Sequence, residues 1–237
     1  MTTPEVIVIG LLMGGANLAA AAVAVSPDLP TVVAATGSGL ELYRAATEQQ
    51  DPQAMYTLGE AFDDGLGTPS DPRQALQWYR RASARGSDTA VRNIATMYFY
   101  GFGVRQSYEK AASLLKVAVR SGNADTENKL AALYDEGLGV AQDHVRAREL
   151  FCEAAAQGYP PAMVNLGRMH VEATAGERDD VGGYALIRAA IDLGIPASMN
   201  DIAVRELGAA SGRLDAGQLV RARALAGELW RRSAGRR

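Results

Sequence analysis

The stretch YDEGLGVAQD, Tyr134 to Asp143, decides how the rest of the chain is read. A Gly-x-Gly element beside a helical pattern suits either a phosphate-cradling loop or a plain reversal of the chain. A nucleotide loop is needed once, whereas a turn between paired helices is needed in every unit of a repeat. Gly65, Gly101 and Gly137 are spaced by 36 residues, and so are Gly67, Gly103 and Gly139. A further glycine column is Gly86, Gly122, Gly158 and Gly194, and an aliphatic one is Leu58, Ile94, Leu130, Leu166 and Ile202. Small residues recur at Ala82, Ala118, Ala154, Ala190 and Ala226. No insertion breaks the register across five units, so the glycines are read as turns of a repeat.

Each unit reads as two helices, here A and B. Pro52, Pro160 and Pro196 share a column where proline suits the first turn of helix A. Asp51, Ser87 and Asn123 stand one residue earlier, as N-caps should. Helix B starts at a second cap column of Asp71, Ser107, Asp143, Asp179 and Asp215. It ends before the glycine at 86, 122, 158 or 194, where a left-handed residue is wanted. The fourth unit has Ala173 and Ala175 in place of the glycine pair, so its A–B turn is expected to depart from the others.

The composition agrees with packed helices. Apolar residues make up 48% of the 237 and aromatics only 6%, so the hydrophobic mass is mostly Ala, Leu and Val. A net charge of −3 offers no reason to expect nucleic acid as a partner. Cys152 is the only cysteine, which excludes a disulfide within one chain, and it is read as a buried or half-buried small hydrophobe. Two histidines, His144 and His170, are too few for a His-based metal site, and no residue pattern asks for a cofactor.

Residues 6–25, VIVIGLLMGGANLAAAAVAV, run for twenty positions without a charge. That length suits a secretory signal or a membrane-spanning helix. Ala22-Val23-Ala24 before Ser26-Pro27 resembles a small-residue cleavage site, although the leader MTTPE lacks a basic region. The expected location is therefore periplasmic or secreted, or anchored in the cytoplasmic membrane facing out, with a cytoplasmic location as the alternative. Residues 26–39 read as a linker and 40–50 as an N-terminal capping helix. Four repeats then fill 51–195, and 196–237 hold a divergent fifth repeat and C-terminal cap. Trp230 occupies the place of a terminating glycine, so the last helix is expected to run on toward RRSAGRR.

These columns resemble the Sel-one-like repeats, relatives of the tetratricopeptide repeats. In the first unit the likeness rests on Ala54, Leu58-Gly59, Phe62, Gly65-Leu66-Gly67, Gln74-Ala75, Trp78-Tyr79, Ala82 and Gly86. The second and third units keep Gly101-Phe102-Gly103-Val104 and Gly137-Leu138-Gly139-Val140, with Lys110-Ala111 and Arg146-Ala147 after them. The resemblance implies an all-α fold: a right-handed α-α solenoid of stacked helix–turn–helix repeats, with helix A lining the concave face. It also implies a non-enzymatic adaptor or regulator that binds a partner protein or peptide. A cysteine-rich branch of the family suggests a cell-wall or β-lactam hydrolase as the alternative, but its cysteines are missing from this chain.

Residues that vary on helix A away from the core are where a ligand would be read. They are Thr57 and Glu60 in the first unit, and Asn93, Thr96 and Tyr100 in the second. Lys129 follows in the third, and Asn165 and Arg168 in the fourth. Asn93, Lys129 and Asn165 form a ladder with rungs roughly 10 Å apart. Asparagine amides can pair with both the N–H and the C=O of an extended peptide, and Lys129 and Arg168 can meet carboxylates.

Overall fold

The computed structural model describes residues 43–66 and 69–235. The apolar stretch 6–25, its linker and Gly67 lie outside the described residues. Helix A and helix B of successive units are α1 (Pro52–Asp64) and α2 (Pro72–Ala84), α3 (Asp88–Tyr100) and α4 (Tyr108–Ala118), and α5 (Ala124–Glu136) and α6 (His144–Ala156). They continue as α7 (Pro160–Glu172) and α8 (Asp180–Leu193), then α9 (Asn200–Ser211) and α10 (Ala216–Ala234). No strand occurs among the described residues. A helical segment at 43–47 precedes them, with Tyr43 edge-on to Trp78 at 6.0 Å and Ala46 fully buried in the first core.

The caps explain why the helices begin where they do. Asp51, Asp71, Ser87, Ser107, Asn123, Asp143, Asp179 and Asp215 each accept a backbone N–H of the first turn from their side chains. These bonds satisfy donors that a helix start otherwise leaves open. Pro52 and Pro160 occupy the first position of their helices, as the column requires. Pro196 does not: it precedes a 3-10 turn, Ala197–Met199, and α9 begins only at Asn200, whose preceding residue gives no side-chain cap.

The Gly-x-Gly pair does two separate jobs. Gly65, Gly101 and Gly137 are left-handed C-caps of helix A, with φ of 73°, 80° and 68°. Gly103 and Gly139 are also left-handed, and they lie against the start of helix B in the preceding unit. A Cβ on Gly103 would come within 2.7 Å of the Pro72 carbonyl carbon, and one on Gly139 would overlap the Tyr108–Glu109 peptide. The second glycine thus sets the approach of neighbouring repeats. In the fourth unit Ala173 keeps the left-handed cap at φ 61°, and Thr174 N–H still reaches the Met169 carbonyl at 3.2 Å. The departure comes afterwards: Ala175 is not left-handed, and Gly176 takes a φ of 148°.

The buried side chains form three adjoining clusters that run along the stack from Ala46 to Ala222. Tyr79, Leu115, Phe151 and Ile187, one per helix B, are essentially inaccessible and are period-related. Gly59 and Gly167 on helix A make room for two of them, since a Cβ there would collide with the Tyr79 ring and with Ile187. The last unit changes the pattern. Both α9 and α10 pack mainly on α8, and α10 runs on past Trp230, bringing Ser233 against Gly158. Arg213 ties the α9–α10 turn back to the fourth unit, donating from Nε to Asp180 at 2.8 Å.

Candidate partner-binding face

The residues expected to read a ligand lie on helices α1, α3, α5 and α7, and three of the eight, Asn93, Asn165 and Arg168, are engaged between repeats. Glu60 accepts from the Tyr56 hydroxyl at 2.7 Å. The Asn93 amide interacts with the hydroxyls of Tyr56 and Tyr79 in the unit before it. Asn165 donates from Nδ2 to Asn128 at 3.1 Å, again across a repeat boundary. Lys129 corrects the expectation of an exposed ladder: it is 8% exposed and ion-paired with Asp125 one turn earlier. The Asp125 carboxylate also accepts from the Tyr159 hydroxyl at 2.8 Å. Lys129 is therefore a neutralised rung inside the seam between units.

Arg168 is similarly held. It pairs with Asp135 of the third unit and, at 2.6 Å, with Glu172 of its own helix. Asp135 is buried and also meets His144 Nδ1 at 2.8 Å, so one carboxylate joins α5, the start of α6 and α7. Buried charges persist when they are paired and hydrogen-bonded in this way. The period pointed to Arg168 but not to Asp135, because the Asp135 column holds Asp63, Phe99 and Val171 elsewhere. Thr57 and Thr96 are half-buried. Of the eight expected residues, only Tyr100 is exposed, at 53%.

Tyr100 closes helix α3 and stacks on Phe102, the middle residue of the turn, with ring centroids 5.5 Å apart. Phe102 is 56% exposed. Phe99 touches Tyr100 edge-on at 4.9 Å and Tyr108 at 5.7 Å, so four aromatic rings meet around one A–B turn. The Tyr100 hydroxyl is pushed above its ordinary pKa by partial burial and then by the Asp125 carboxylate. It therefore stays neutral and able to donate at neutral pH. Phe102 was not among the expected residues because it lies in a turn; its signal was an aromatic where Leu66 and Leu138 stand in neighbouring units.

The helix-A termini are acidic. Asp64, Glu136 and Glu172 are the last residues of α1, α5 and α7, at the position Tyr100 holds in α3. Asp64 and Glu136 are exposed and carry no ion pair among the described residues. Beside Asp64, Asp63 has its pKa raised by burial and by its neighbour's charge, while Tyr79 donates to it at 3.5 Å. Cys152, expected to be at least half-buried, is exposed on α6. The helix-B face at that point is turned away from α5, where Leu150, Phe151 and Ala154 are buried instead. Partial desolvation pushes its thiol pKa up, which disfavours the reactive thiolate. His144 and His170 face Asp135 and Asp179, and no cluster of three metal-ligating side chains occurs among the described residues. Likewise, no described helix is long and apolar enough to cross a membrane.

Comparison with known proteins accounts for this architecture. The Sel1 repeat model matches residues 52–87, 89–123, 124–159 and 160–195. No curated protein sequence matches. Among solved structures, the chain resembles a protective antigen of uropathogenic Escherichia coli strains that displays an SLR fold. The TM-score is 0.70 at 26% identity, over 84% of this chain and 44% of that one. A Sel1 repeat protein from Oxalobacter formigenes shares the fold, with a TM-score of 0.60 at 22% identity over 84% of both chains. This chain thus spans less than half of the antigen's length. Sel1 repeats generally mediate protein–protein interactions. With four matched repeats stacked as helix pairs, the chain belongs to the Sel1 repeat family.

Proposed function

We propose that the protein is a non-enzymatic scaffold that receives a partner peptide or domain on the helix-A, concave side of the solenoid. The observation that carries this reading is the exposed Tyr100–Phe102 pair on a face whose other polar rungs are mostly paired internally. A rigid aromatic anchor supplies large contact area at low conformational cost, and aromatics dominate the binding energy of many interfaces. Stacked repeats hold such an anchor in place before the partner arrives.

The test is quantitative capture of partners from the native organism by wild-type chain, by Tyr100→Ala with Phe102→Ser, and by Val117→Ala as a control at an exposed helix-B position. A partner lost with the aromatic pair and kept with the control supports the reading. Equal recovery by all three would exclude this face. The pair Asn93→Ala with Asn165→Ala should act mainly on stability, because both amides bridge repeats.

We place the scaffold on the outer side of the cytoplasmic membrane, delivered by the uncharged stretch 6–25 acting as a signal or an anchor. Fractionation with N-terminal sequencing checks this. A mature start near Ser26 means export, an intact membrane-bound chain means an anchor, and an intact chain in the cytoplasmic fraction overturns the placement.

A further inference from the structure

We infer that the same face docks the last described helix of a second copy of this chain, giving head-to-tail association. The inference rests on the reading of the helix-A side as the binding face and names one occupant for it. Two complementary surfaces support it. The first is the column formed by the last residues of the A helices: Asp64, then Tyr100 with Phe102 stacked on it, then Glu136. A carboxylate on the last residue of a helix is disfavoured by the macrodipole, and α1, α3 and α5 have no basic residue in their last turns to offset it. These positions therefore favour a cation supplied from outside.

The second surface is the outer side of α10. Residues 196–237 hold eight arginines against four acidic residues, although the whole chain carries −3. Arg205 and Arg213 are paired with Glu206 and Asp180. Arg221, Arg223, Arg231 and Arg232 are exposed and have no ion pair among the described residues. Trp230, 42% exposed, lies on the same stripe as Arg223 and borders the buried stripe of Ala222, Ala226 and Ser233, while Arg221 and Arg232 point away from it round the helix.

The spacings match. Trp230 and Arg223 are two helical turns apart on one stripe, about 10 Å along the axis. Neighbouring A helices are also about 10 Å apart. With Trp230 laid on the Tyr100–Phe102 pair, Arg223 comes level with one flanking carboxylate, and Arg231, next to Trp230 and about 100° round the helix, adds its charge beside the pair. Because the groove and the helix are different surfaces of one chain, the contact is heterologous and propagates from copy to copy.

The test measures the mass of the full chain by light scattering across a wide concentration range, at low and high salt. Wild-type mass should rise with concentration and return to that of one chain at high salt. Two variants, Asp64→Arg with Glu136→Arg and Arg223→Glu with Arg231→Glu, should each remain single copies. Mixed together they should associate again, since each groove then meets a tail of opposite charge. Trp230→Ala should weaken wild-type association roughly tenfold or more. Three outcomes overturn the inference: single-copy mass for wild type at every concentration, association indifferent to the groove substitutions, or no recovery on mixing. Any of them leaves the scaffold reading intact, because that reading is tested by capture with the Tyr100 and Phe102 variants.

Discussion

Ala173 is the residue at which local geometry and residue type disagree most openly. It caps α7 at φ 61° in a place where Gly65, Gly101 and Gly137 cap the other A helices. A Cβ in the left-handed region costs roughly 1–2 kcal/mol, and glycine gives back part of that through its freer unfolded chain. Ala173→Gly should therefore stabilise the protein by about 0.5–1 kcal/mol. A denaturant midpoint that rises without a change in slope would show it, and a midpoint that falls would mean that the Ala173 methyl makes contacts worth more than the strain. Asp135 makes a related point about charge. One buried carboxylate draws on His144 and Arg168 from two other helices, and no recurrence in the sequence marks it.

At the scale of elements, the turns carry the information that makes a stack out of hairpins. Gly122 and Gly139 have nearly the same φ, 66° and 67°, yet a Cβ on Gly122 meets nothing within 4 Å. One on Gly139 would enter the backbone at the start of α4. Gly122→Ala should thus cost only the left-handed penalty, about 1 kcal/mol, whereas Gly139→Ala should cost about 3 kcal/mol or more because a backbone has to move. Equal losses for the two variants in urea unfolding would show that repeat-to-repeat approach is not what the second glycine protects. The period made both glycines legible as turn residues. It did not separate them, since the neighbour that makes Gly139 irreplaceable lies about thirty residues earlier in the chain.

For the whole molecule, tyrosines spread along the stack couple stability to alkaline pH. Tyr56 is pushed up to about 12, first by burial and then by its hydrogen bond to Glu60 and that residue's charge. Tyr79, Tyr100 and Tyr159 are raised as well, with burial as the main cause in each and Asp125 acting on the last two. A folded pKa above the unfolded value of 10 means that the folded chain holds its protons longer than the unfolded one. This stability is complete below pH 10 and is lost as pH rises toward 12 and beyond. Melting temperature should fall across that window, and Tyr56→Phe should make the fall shallower. An unchanged slope in Tyr56→Phe would count against the coupling.

The sequence by itself determined the repeat, its helix pairs and their caps, because backbone hydrogen bonding and a 36-residue apolar period are local properties repeated until they cannot be mistaken. It also brought Tyr100 into view on a varying column. Which varying residues remain free was decided only by the tertiary structure. Lys129, Asn165 and Arg168 look like ligand-reading rungs on successive A helices, but Asn128 and Asp135 of the preceding repeat occupy Asn165 and Arg168, while Lys129 is buried and paired with Asp125 of its own helix. The turn of α10 onto α8 is tertiary in the same sense, since it depends on which surface the final helix finds uncovered. Periodicity predicts what each unit does to itself; the pairing between units depends on distances that no single unit contains.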